Sequence, residues 1–123
     1  MSRTFLHREV PPSFAFKDGA GAVHLFFGAR ADKMLPSVPT VYAMTRWEPI
    51  LQRWAILYVG KAQCMRSRFF DHHKIEAARG FRLTHVHFSI EHDAYRRSWI
   101  EADMIWGLAP PLNARRPMVG PWL

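Results

Sequence analysis

This chain of 123 residues has one cysteine, few acids for its many bases, and no long apolar run. Each shortage excludes something. A lone thiol, Cys64, cannot form an intramolecular disulfide or build a cysteine-rich zinc module. Beside Met65, at an expected helix start, it reads as a buried or half-buried thiol. No stretch approaches the roughly 20 apolar residues that span a bilayer, so no membrane partner is expected. The first residues hold Arg3 and Arg8, then Pro11 and Pro12, without an apolar segment, which argues against a secretory signal. A reducing, cytoplasmic setting is the default expectation. Only 10 Asp and Glu oppose 17 Lys and Arg, leaving a formal charge of +7 and a pI near 10.3. That excess favours a polyanionic partner, because clustered cations gain by displacing counterions from phosphates. It also occurs on ribosomal and membrane-surface proteins, and on proteins with no such partner.

What is present is enough for one modest core, with 49% of residues hydrophobic. Residues 1–37 read as an arm to about Pro12 and then a hairpin, with strands in FAFKDGAGAVHLFFGAR around an Asp18–Gly21 turn. A linker with Pro36 and Pro39 leads into a core module, residues 38–113, followed by a short tail, residues 114–123. In the module, Thr40 to Arg46 and Trp54 to Val59 are β-branched and aromatic and predict an antiparallel hairpin. Gln63 to Ala78 lacks Gly and Pro, carries basic and apolar residues at helical spacing, and stops at Gly80, predicting one helix. Arg82 to Ile90 alternates, with Leu83, His85, His87 and Ser89 on one side and Thr84, Val86, Phe88 and Ile90 on the other: a half-buried strand. Glu91 to Gly107 predicts a second helix, ended by Gly107, Pro110 and Pro111.

The chemistry starts at Glu101. Ile100, Met104, Ile105 and Leu108 form an apolar stripe at three- and four-residue spacing, and Glu101 lies inside it. A carboxylate there is partly desolvated and calls for a cation, either a bound metal or Arg97 one turn earlier. Arg68 and His72, four apart, share a helix face and can grip a phosphate. A solvated basic face is the plain alternative, since Lys61, Arg66, Lys74 and Arg79 are near. Tyr42 and Tyr58 fall on the two hairpin strands, where their hydroxyls can converge or simply fill the core. His85 and His87 share a strand face, but no third ligand stands at a diagnostic zinc spacing. Trp47, Trp54 and Trp99 suit either base stacking or the core.

In order, Tyr42 in VYA, Tyr58-Val59-Gly60, Arg68 and His72, Glu101, and Asn113 in PPLN resemble the catalytic parts of GIY-YIG nucleases. The likeness covers Val38 to Asn113. It departs from the pattern in two places. Thr40 replaces the first motif's glycine, and the connection between the tyrosines is longer than usual, with Trp47 to Arg53 as the apparent insertion. The resemblance implies an α+β fold, a three-stranded antiparallel sheet flanked by helices, with the N-terminal hairpin added to the sheet or forming an interface. It implies one-metal hydrolysis of DNA phosphodiesters, with RNA as a further substrate class. Glu101 would hold a single Mg²⁺ or Mn²⁺. Arg68 would offset charge on the phosphoryl oxygens, Tyr58 would be the general base, and Tyr42 and His72 would position water and phosphate. Asn113 would orient its neighbours. Lys61, Arg66 and Lys74, with Arg46 and Arg53 of the insertion, would contact nucleic acid. With a short tail after Asn113, specificity would be low, or borrowed from a homodimer or protein partner. A direct attack by tyrosine on phosphorus is a chemical alternative. A catalytically silent nuclease-fold binding module and a small RNA-binding protein are the alternatives from other classes.

Overall fold

Strand-forming residues and turn chemistry build two hairpins, and the computed structural model describes residues 10–31, 34–70 and 74–113. The first pairs β1 (Ser13–Lys17) with β2 (Val23–Arg30). Its turn is sealed by Asp18, whose carboxylate accepts the Ala20 and Ala22 N–H groups at 2.9 Å and lies 2.8 Å from His24 Nε2. The second pairs β3 (Thr40–Glu48) with β4 (Arg53–Ala62). The insertion expected between the tyrosines lengthens the ladder: Trp47 pairs with Trp54 and Glu48 with Arg53. Leu57 is an extra residue between the Met44–Tyr58 and Thr45–Ile56 pairs, a β-bulge.

The segment expected as one helix holds two short ones, α1 (Met65–Phe70) and α2 (Ile75–Gly80). Strand β5 (His85–Ile90) follows. Helix α3 (Ala94–Leu108) begins at Asp93, whose side chain accepts the N–H groups of Tyr95 at 2.8 Å and Arg96 at 3.0 Å. It ends at Ala109, which takes a left-handed φ of 46°. Among the described residues no helix is long and apolar enough to cross a membrane.

The fold is α+β, but the sheet has five strands rather than three, all antiparallel, in the order β1-β2-β5-β3-β4. The N-terminal hairpin joins the sheet because β2 pairs with β5, from Phe27–Phe88 to Arg30–His85. One cross-strand row, Ser13–Phe27–Phe88–Tyr42–Gly60, runs from edge to edge.

Consecutive residues of a strand face opposite ways, so β3 serves two cores. Tyr42 and Met44 pack with Val86, Met65, Ala78 and Leu35 under α1 and α2. Val41 and Ala43 pack with Phe26, Val59, Ile100 and Met104 under α3. On the α3 side His87 is fully buried. The Thr45 hydroxyl donates to the His85 carbonyl at 3.1 Å, leaving its oxygen to accept from His87 Nδ1 at 2.9 Å. That arrangement places the His87 proton on Nδ1. Its Nε2 has no hydrogen-bond partner among the described residues and faces Gly28, where an added Cβ would stand 2.6 Å away. Burial, then the nearby His85, lowers the His87 pKa to about 4.

Candidate functional site

The second hairpin positions the two phenols. Tyr42 of β3 lies opposite Gly60 of β4, and Tyr58 is two residues before Gly60 on the same strand face. The tyrosine rings are 6.4 Å apart and inclined at 42°. The ring of Tyr42 rests on bare backbone: a Cβ at Gly60 would lie 2.5 Å from its hydroxyl oxygen and 2.6 Å from Cζ. Contacts that short do not occur between unstrained atoms, so the glycine of the Tyr58-Val59-Gly60 motif has a steric reason.

Helix α1 leaves β4 almost at once and carries Arg68 back over the tyrosines. Its guanidinium lies beside the two phenols, and its interaction with Tyr42 first and Tyr58 second raises the arginine's own pKa. Burial pushes the Tyr42 phenol well above its usual range, with the nearby Arg68 working against the rise. Tyr58, less buried, is raised first by desolvation and then by the Glu101 charge. Neither phenol is ionised at neutral pH.

Glu101 comes from α3, on the opposite sheet face. Lys61 links the two faces: it follows Gly60, points toward α3, donates to Ser98 Oγ at 2.7 Å and stands 3.9 Å from Glu101 Oε1. The site therefore straddles β4, an edge strand. Desolvation raises the Glu101 pKa, while Lys61 and Arg68 oppose the rise. Arg97, the other cation considered for Glu101, donates instead to the carbonyls of Glu91 at 2.9 Å and His92 at 3.1 Å.

Asn113 acts on the backbone. Its Oδ1 accepts the Val59 N–H at 3.0 Å and its Nδ2 donates to the Val59 carbonyl at 2.9 Å. With the Leu112 N–H on the Leu57 carbonyl at 3.0 Å, the PPLN segment fastens β4 at Leu57 and Val59, on either side of Tyr58.

The structure thus gathers Tyr42, Tyr58, Lys61, Arg68 and Glu101 around one end of β4, with Asn113 behind them. His72 lies outside the described residues. Arg66 donates to the Leu35 carbonyl at 2.8 Å and so ties the linker to α1. Lys74 precedes α2, its carbonyl accepting the Ala78 N–H at 2.9 Å. Arg46 and Arg53 sit at the other end of the hairpin and share Glu48, at 2.8 and 2.6 Å. Trp54 packs edge-on to His87, centroids 4.1 Å apart, and against Trp47 at 5.0 Å, so this pair belongs to an aromatic cluster.

Ser98 escaped the sequence reading. The available signal was its position three residues before Glu101, which puts both on one helix face. Gln63 and Ser67 also escaped it; with Lys61, Cys64 and Arg68 they line a shallow pocket of about 410 Å³ beside the site.

A metal is testable by donor chemistry. Among the described residues no three His, Cys, Asp or Glu side chains stand close enough to cage an ion. One half-buried carboxylate without a hydrogen-bonding cation suits a hard, largely hydrated ion such as Mg²⁺, which takes one or two carboxylates and keeps its waters. It does not suit zinc. No family model matches the chain, and no curated protein and no solved structure matches it significantly.

Proposed function

We propose that this protein is a metal-dependent endonuclease of the GIY-YIG type, hydrolysing phosphodiester bonds of DNA. The observation that carries this reading is the assembly of two phenols, a guanidinium and a desolvated carboxylate around Gly60, from four separate elements. A core needs no arginine set against a buried tyrosine, and a solvated helix face needs no half-buried glutamate.

Glu101 would hold a Mg²⁺ or Mn²⁺ ion, which would supply positive charge to stabilise the leaving group. Arg68, fixed by Tyr42, presents its remaining donors to the phosphoryl oxygens, where negative charge grows as water attacks. Tyr58 is the better placed phenol for the water, because it is partly exposed while Tyr42 is fully buried. Being protonated, Tyr58 can accept the water's proton only as its own hydroxyl proton leaves. A phosphoryl oxygen is the natural recipient, so the phenol relays one proton and ends as it began. Tyr42 orients Arg68, and Asn113 holds the strand between the reacting groups.

The test is supercoiled plasmid and single-stranded DNA incubated with protein and Mg²⁺ or Mn²⁺, or with chelator. Cutting requires the metal, and Glu101→Ala loses at least about a hundredfold in rate, the scale of a lost charge-stabilising group, while keeping most of the DNA affinity. Equal cutting by Glu101→Ala and the parent refutes the mechanism. Binding without cutting in every metal would leave a non-catalytic nucleic-acid-binding module as the function.

A further inference from the structure

We propose that Lys61 is the resident counter-ion of Glu101 and yields that place when a divalent cation binds; this rests on the reading of Glu101 as the metal ligand. The Lys61 ammonium has two partners one helical turn apart, Ser98 Oγ at 2.7 Å and Glu101 Oε1 at 3.9 Å. The unequal distances matter. The lysine is anchored by the neutral hydroxyl and only leans on the carboxylate, so its departure breaks no hydrogen bond to Glu101. Its side chain is 43% exposed against 23% for Glu101, so the ammonium can swing outward without crossing packed groups.

Charge makes the displacement necessary. Glu101 feels both Lys61 and Arg68, one negative group facing two positive ones. A dication entering that set is repelled until a cation withdraws or a phosphate arrives. No cluster of further acidic ligands among the described residues offsets this. Metal affinity without nucleic acid is therefore held down by Lys61, and metal and nucleic acid bind cooperatively, the phosphodiester bringing negative charge and oxygen ligands together. The released ammonium lies on the rim it shares with Gln63, Ser67 and Arg68, where a phosphate can take it.

Titrating the full chain with Mn²⁺, without nucleic acid, and following free Mn²⁺ by electron paramagnetic resonance tests this. Lys61→Gln binds Mn²⁺ about tenfold more tightly than the parent, the scale of removing a unit charge about 4 Å away in a partly screened site. Lys61→Arg stays near the parent. An affinity for Lys61→Gln equal to or below the parent's overturns the proposal, and so does absence of Mn²⁺ binding in both. Glu101→Gln separates the two readings. If it abolishes Mn²⁺ binding and cleavage while Lys61→Gln leaves affinity unchanged, only the displaceable counter-ion fails. If Glu101→Gln keeps both, Glu101 is not the metal ligand.

Discussion

At the scale of single residues, Gly60 sets the tolerance of the site. A methyl group there would also stand 3.0 Å from Tyr58 Cε2, so both phenols would have to move, and the fully buried Tyr42 has no solvent to move into. Gly60→Ala should lower stability by about 2 kcal/mol, the range for overpacking a filled site, with a lower urea midpoint and an unchanged m-value. Cleavage should fall further than that loss explains, because Arg68 is referenced to Tyr42. A variant with parental stability and rate would show that the tyrosines are not held by the glycine. Tyr42, Tyr58, Arg68 and Glu101 could be picked out from their order and spacing in the chain, and the fold brings them together. Ser98 was not, since a serine on a helix says nothing until its partner is known. Nor could charge counting reveal that Arg46 and Arg53 are engaged by Glu48: the three residues meet only once β3 and β4 are paired.

Among the elements, the N-terminal hairpin has the most to say about the site. Its turn docks on α3: the Gly19 N–H donates to Asp103 Oδ2 at 2.7 Å, and Asp103 is 3% exposed. Phe16 reaches Gly107, and Phe14 and Phe16 pack with Ile100 and Met104, the residues flanking Glu101 on the buried stripe. The hairpin therefore braces the helix that supplies the carboxylate. Asp103→Ala removes the carboxylate that accepts the Gly19 N–H and should cost about 1.5 kcal/mol, with faster amide exchange in the 18–22 turn and along α3. Asp103→Asn retains an acceptor and should cost much less. If the two variants are equally stable, the contact to Gly19 contributes nothing. Most elements could be read locally from alternation and turn residues, as at Asp18, whereas the helix expected from Glu91 starts at Ala94 because Asp93 caps it. What joins β2 to β5 could not be read, because that pairing depends on distant residues such as Gly28 meeting His87 across the ladder. The bulge at Leu57 leaves no local signature either.

For the whole molecule, acid is the condition that exposes its internal balance. The buried His87 binds its proton near pH 4 in the folded chain against an ordinary value of 6.5. Between those values the unfolded chain holds the extra proton, so stability falls as pH drops from about 6.5 to about 4, by about 3 kcal/mol in all. The groups facing the ring are His85, Thr45, Phe14 and Trp54, none of them an acid that could welcome the charge. Glu101 works in the opposite sense, since its raised pKa makes the folded state bind a proton earlier than the unfolded chain does. It opposes that loss. Urea midpoints measured from pH 7.5 to 4.5 should therefore decline, and His87→Gln should flatten the slope; a parental slope in that variant would place the acid sensitivity elsewhere. The edge-to-edge row from Ser13 to Gly60 has one more consequence. The pairings along that row tie β1 at one edge to the Tyr42–Gly60 pair at the other, so ladder bonds lost in the N-terminal hairpin loosen the sheet on which both tyrosines sit.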